Sequence, residues 1–294
     1  MSSTLLTLSS SRLELQLNPS IGGVISRLAY LGAESPVSIL RESLTPLENV
    51  LEAGNFPLVP YVNRIRGGAF AFRGREIRLE PNMAGDPSPL HGQGWLNPWT
   101  ADEVDGSSAV LSYRHEPGEW PWAYEAQQDF RLVDSVLDVR LTCTNTSGEP
   151  MPCGLGQHPY FQCGPQTRID TGVGFVWTID DKVLPVAKLP ATGRYDLKDR
   201  LICGQALDNG FADWSGRALI TDPDWLFEIE LSSPEARFFQ IYSPASGGVF
   251  VAEPVSHANA ALNEPETDWL ALGIRILEPG EQMCLDMRID VRAI

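Results

Sequence analysis

Positive charge, histidine and paired cysteine are all scarce in this 294-residue sequence. Its 22 Lys and Arg stand against 38 Asp and Glu, a formal net charge of -16, and no Lys/Arg-rich run offsets the excess locally. Such a field repels phosphate backbones and anionic membranes, so neither nucleic acid nor a membrane surface is an expected partner. A neutral small molecule fits more easily than a heavily phosphorylated one. The five cysteines (Cys143, Cys153, Cys163, Cys203, Cys284) are odd in number and lack CxxC spacing. That pattern indicates neither a disulfide framework nor a zinc knuckle, and reduced thiols in a cytoplasmic protein account for it. There is no apolar run of about 18 residues and no basic-then-apolar leader, so membrane spanning and secretion are both unexpected. No stretch beyond about ten residues keeps a helical period. Internal repeats, low-complexity tracts and linker-like composition shifts are also missing, and residues 1–294 read as a single domain.

What is present is alternation. Leu13, Leu15 and Leu17 alternate with Arg12, Glu14 and Gln16, and Leu137, Val139, Leu141 and Cys143 repeat the pattern. Phe227, Ile229 and Leu231 flank Glu228 and Glu230. Near the C-terminus Met283, Leu285, Met287, Ile289 and Val291 share one face, with Asp286, Arg288, Asp290 and Arg292 on the other. Period two predicts half-buried strands in antiparallel sheets. Turn signals separate the runs: Asn18-Pro19, Ile21-Gly22-Gly23, Gly67-Gly68, Arg73-Gly74, Ser147-Gly148, Asp208-Asn209-Gly210 and Pro279-Gly280. With 43% hydrophobic and 20% charged residues, enough apolar surface exists for a large core. The expectation is an all-β protein of many short strands stacked in a large sandwich. Residues 41–68, 81–99 and 255–273 are too polar or Pro-rich for regular strands, and long loops on a β scaffold are where chemistry usually sits.

The 4 histidines can be weighed singly. His91 lies in Pro89-Leu90-His91-Gly92-Gln93-Gly94-Trp95 and His158 in Gly154-Leu155-Gly156-Gln157-His158-Pro159-Tyr160-Phe161, where glycines let backbone approach a ligand and aromatics offer flat surface. Taken singly, each reads first as a packing or loop histidine. His115 reads as a surface residue. Arg64, in Asn63-Arg64-Ile65-Arg66-Gly67-Gly68, presents a multi-donor guanidinium to sugar hydroxyls or pairs with an acidic neighbour. Glu253 follows the apolar run Gly248-Val249-Phe250-Val251 and precedes Pro254, which stops ladder pairing. A partly desolvated Glu there is a better base, and a charged strand end is the plain alternative.

Taken in order, six segments resemble the aldose 1-epimerase (galactose mutarotase-like) family: PLVPYVNRIRGGAFAFRG, PLHGQGWLNPW, GLGQHPYF, ALDNGF, VAEPVSHANAALN and LEPGE. They span roughly residues 55–281. The HGQGW segment resembles the form of many bacterial members rather than the galactose-specific animal form. The resemblance implies a β-supersandwich of short antiparallel strands with a sugar cleft on one open face. It implies Glu253 as catalytic base and His158 as catalytic acid, with His91, Arg64, Asn63 and Asp208 contacting a monosaccharide. Trp95 and Phe211 neighbour matched positions and by extrapolation would stack on the sugar. No metal or organic cofactor is implied, and His257 would be structural or at the cleft rim.

On this basis the sequence predicts interconversion of the α and β anomers of a free aldose. Glu253 removes the anomeric hydroxyl proton while a protonated His158, kept charged by nearby carboxylates, donates to the ring oxygen. His91 and Arg64 stabilise charge as the ring opens. Rival readings are a hexose-6-phosphate mutarotase with Arg64, Arg66 and Arg73 around the phosphate, a glycosidase using Glu253 with Asp208, and a non-catalytic sugar-binding protein of the same fold.

Overall fold

A computed structural model describes residues 5–294. Strands dominate it, and they pair antiparallel in two large sheets, one small sheet and two two-stranded ribbons. The nine-stranded sheet is centred on Gln282–Ala293, flanked by Val136–Asn145 and Phe227–Ser232. Its alternation is the one read from the sequence: Leu137, Val139, Leu141, Cys143, Leu285, Met287, Ile289, Ile229 and Leu231 are all buried. Cross-strand ion pairs cover the outward rows, with Arg140 opposite Asp286 at 2.7 Å and Arg288 opposite Asp138 at 3.0 Å. Burial of one row and hydration of the next pins the register, because a one-residue slip would exchange the two faces.

The second large sheet, of eight strands, runs through Pro185–Pro190, Phe175–Ile179, Leu207–Ala212, Phe238–Ser243, Val249–Val255, Gly156–Gln157 and Pro57–Leu58, with Tyr160–Gln162 pairing Val249–Val255. Its inner residues, among them Phe211, Phe239, Ile241, Phe250 and Ala252, join the rows of the nine-stranded sheet in one contiguous core. The architecture is therefore a β-sandwich. The only α-helix among the described residues is Trp269–Leu272, and no helix is long and apolar enough to cross a membrane.

Two local expectations change. Asp208-Asn209-Gly210 is not a turn but the middle of the strand Leu207–Ala212, paired along its length with Phe238–Ser243. The neighbouring strand satisfies its backbone, and Asn209 donates to the Trp177 carbonyl, so tertiary pairing overrides local turn preference. His115 is half-buried rather than on the surface, its Nε2 3.0 Å from the Trp120 carbonyl and its ring stacked on Tyr124.

Candidate active site

Register assembles the site. Gln240 lies opposite Glu253 and Tyr242 opposite Val251; Asp208 lies opposite Tyr242, and Tyr160 opposite Val251. Directly paired residues project from the same face of a sheet. One row therefore carries Asp208, Tyr242 and Tyr160, and the next carries Gln240 and Glu253. The strand does not stop at Pro254 but continues to Val255, so Glu253 lies inside a strand paired on both sides. That position buries it to 3% exposure, deeper than the strand end expected from sequence.

Loops close over this face. Residues 57–68 and 89–95 lean together through bridges Val59 to Gly92 and Arg64 to Leu90. Gly92 is required there, because at its φ of 72° a Cβ would stand 2.2 Å from the Val59 carbonyl oxygen. Together strands and loops enclose a cavity of about 450 Å³ whose lining includes Glu253, His158, His91, Arg64, Asn63 and Asp208. Six of the seven residues singled out for the site from the sequence thus converge. A wider depression of about 730 Å³ lies on the outer face of the nine-stranded sheet. Both of its arginines are already paired, Arg114 with Glu125 and Arg140 with Asp286, and none of its titratable side chains is fully buried.

The seventh residue, Trp95, does not line the cavity. It is 1% exposed, its Nε1 donates to the Leu90 and Gly92 carbonyls, and its ring stacks under Phe56 at 5.4 Å. Phe56 in turn stacks on His158 at 4.4 Å, so Trp95 supports His158 from below. Phe211 alternates to the opposite face from Asp208 and is fully buried. The aromatic rings at the cavity are Phe56, Tyr160 and Tyr242. Arg66 and Arg73 point elsewhere, Arg66 to the Pro185 carbonyl and Arg73 to Glu278, so no cluster of Arg64, Arg66 and Arg73 exists.

His158 Nε2 stands 3.4 Å from Glu253 Oε1. Burial dominates the ionisation of both: it pushes His158 down to about 3 and raises Glu253 well above the usual carboxylate range, with nearby Asp208 adding to the rise. The expectation of a charged His158 is corrected on this point, since desolvation outweighs the surrounding carboxylates. Burial therefore favours the uncharged form of both groups. His158 Nδ1 and Glu253 Oε2 have no hydrogen-bond partner.

The other groups are fixed. His91 Nδ1 accepts from the Asn63 N–H at 3.0 Å, which assigns its proton to Nε2. Burial lowers its pKa, so it is a neutral donor. Arg64 pairs with Asp86 at 2.8 Å and donates to the Asn63 side chain at 3.1 Å. Asp208 Oδ1 accepts from Gln240 at 2.9 Å, and burial raises its pKa. His257 has a structural place: its Nε2 accepts from the Val62 N–H at 2.9 Å, its Nδ1 lies 2.8 Å from the Ala258 carbonyl, and it does not line the cavity. Arg41 and Gln240 line the cavity and were not anticipated. Gln240 had a legible signal, its alternation within Phe238–Ser243, whereas nothing around Arg41 marks it. Among the described residues no group of three or more His, Cys, Asp or Glu is placed to hold a metal ion.

The sequence profile of the family described as Aldose 1-epimerase matches residues 5–290. YphB, an uncharacterized protein of Escherichia coli (strain K12), is 35% identical over 252 residues, 82% of this chain and 84% of its own. The crystal structure of a candidate aldose 1-epimerase from Escherichia coli K12 superposes with a TM-score of 0.90 at 32% identity, covering 100% of both chains. That of a galactose 1-epimerase from Lactobacillus acidophilus NCFM gives a TM-score of 0.78 over 98% of this chain and 93% of its own; at 16% identity this is a likeness of fold.

Proposed function

We infer the activity from one premise: the chain belongs to the aldose 1-epimerase family. It interconverts the α and β anomers of a free aldose by opening and reclosing the pyranose ring. The observation that carries this reading is the 3.4 Å approach of His158 Nε2 to Glu253 Oε1 inside a cavity of sugar size lined by further polar groups.

Ring opening needs one base and one acid, and the pair has one proton to supply. As the anomeric hydroxyl donates to Glu253, its carboxylate form is favoured and the proton passes to His158 Nε2. Glu253 then takes the hydroxyl proton, the electrons form the C1=O bond, the C1–O5 bond breaks, and O5 receives the proton from His158. Rotation about C1–C2 presents the other carbonyl face, and the same steps in reverse close the ring. His91 Nε2–H and Arg64 meet hydroxyls on the flank near Asp208, where they stabilise charge on sugar oxygens.

Polarimetry on a freshly dissolved single anomer tests the assignment. His158→Gln and Glu253→Gln should each lower the catalysed rate by about 10²–10⁴-fold while keeping the native circular dichroism spectrum. A folded variant at the wild-type rate removes that residue from its role. Hydrolysis of glycosides would instead favour Glu253 and Asp208 as a glycosidase pair. Sugar binding without any acceleration would favour a non-catalytic binding protein.

A further inference from the structure

Arg41 is the cavity's charge without a carboxylate partner. Its Nε donates to the Ala53 carbonyl at 3.1 Å and its Nη2 to the same oxygen at 2.6 Å and to the Leu51 carbonyl. The guanidinium lies over the Tyr160 ring, 3.7 Å from its centroid. These contacts fix the group in place and neutralise none of its charge. Among the described residues no carboxylate forms an ion pair with it, and Glu52, whose field acts on it, is exposed. Arg64, by contrast, is matched by Asp86. A guanidinium stays protonated even when partly desolvated, so Arg41 presents a fixed positive charge at a cavity wall.

Its position decides what that charge meets. Arg41 covers Tyr160, whose ring is 4.7 Å from that of His158. Of the groups that act on Glu253, Asp208 stands at the other end of the row, and Arg64, from the loop, acts on Asp208. In a pyranose the ring oxygen, which His158 protonates in the proposed reaction, is bonded to C1 and C5, and C5 carries C6. A group beside His158 on the Tyr160 side therefore faces the C6 substituent, while the C2 and C3 hydroxyls fall toward Arg64 and Asp208. We propose that the preferred substrate is an aldose bearing an anionic group on C6, a carboxylate or a phosphate monoester, bound by Arg41 beside Tyr242 and Ser246 at the cavity rim. The placement rests on His158 meeting the ring oxygen. The net charge of -16 does not oppose it, because a desolvated local cation outweighs distant screened charges.

The test compares glucose, glucuronate and glucose 6-phosphate as α-anomers with the full chain, by polarimetric kcat/KM and by calorimetric binding, in wild type, Arg41→Gln and Arg41→Lys. Wild type should prefer one anionic sugar over glucose by at least about tenfold, and the better of the two identifies carboxylate or phosphate. Arg41→Gln should reduce the anionic-over-neutral ratio by about 10–100-fold, as loss of a charge-assisted hydrogen bond does, and Arg41→Lys should recover part of it. A wild-type ratio near one overturns the proposal whether or not either variant folds. So does a ratio unchanged by Arg41→Gln, the outcome if Arg41 only clamps the Leu51 and Ala53 carbonyls, since both substrates then suffer alike. If no sugar turns over but binding still favours the anionic one through Arg41, the mutarotase reading falls and the anion site stands.

Discussion

A carboxyl and an imidazole 3.4 Å apart, both buried, titrate as one unit with two apparent pKa values. In the proposed mechanism the working form of Glu253 and His158 carries a single proton. A second proton is refused until about pH 3, where His158 charges. The single proton is lost at the raised pKa of Glu253, above the ordinary carboxylate range. The catalysed rate, corrected for the spontaneous reaction, should therefore decline on the alkaline side as the pair loses this proton, with no rise through an ordinary histidine pKa near 6.5. A kcat profile that climbs steadily from pH 5 to 8 would instead mean that a bare carboxylate with neutral histidine is the working form. Arg41 belongs to this scale too, as a side chain whose importance lies in having no partner.

At the scale of elements, the segment that carries Asn63 and Arg64 is held by His257 through the Val62 N–H. That contact needs the absence of a side chain at Gly154, where a Cβ would stand 2.0 Å from His257 Cδ2 and 2.6 Å from Nε2. Gly154→Ala must displace the imidazole or the segment, so it should destabilise by about 1–3 kcal/mol, with a lower Tm of about 2–4 °C per kcal/mol. Because Asn63 and Arg64 move with the segment, KM should rise more than kcat falls. A variant with wild-type Tm and KM would show that the contact can relax without consequence. On the outer face of the nine-stranded sheet, by comparison, the exposed Arg140–Asp286 pair can be removed for about 1 kcal/mol or less.

At the scale of the whole molecule, burying several neutral imidazoles couples folding to pH. The folded pKa values of His158, His257 and His91 all lie below 6.5, at about 3 and about 4 for the first two. The native state refuses protons that the unfolded chain accepts below about pH 6.5, so stability falls as pH falls, by up to ~1.4 kcal/mol per pH unit for each group. Glu253 and Asp208, raised by burial, act in the opposite sense, their contribution being present at low pH and lost as pH rises. The imidazoles outnumber them, so urea midpoints should drop from pH 6 to pH 5. His257→Gln should lessen that slope, and a midpoint flat over this range in wild type would contradict the balance.

Much of this molecule follows from local pattern. Period-two rows such as Met283 to Val291 dictate half-buried strands because side chains alternate strictly across a sheet, and the tall order of hydrophobic rows leaves only stacked sheets to bury them. Glycines, prolines and aromatics frame His91, His158 and Glu253, but only the resemblance of six ordered segments to one family singled these out together with Asn63, Arg64 and Asp208. Tertiary structure alone decided the rest. The Asp208-Asn209-Gly210 run became a strand because neighbours on the sheet satisfied its backbone; Trp95 turned beneath the floor because its N–H found two carbonyls there. The protonation of Glu253 and His158 and the solitude of Arg41 depend on which distant residues surround them and how much water is excluded, and desolvation is a property of the assembled fold that no stretch of sequence carries.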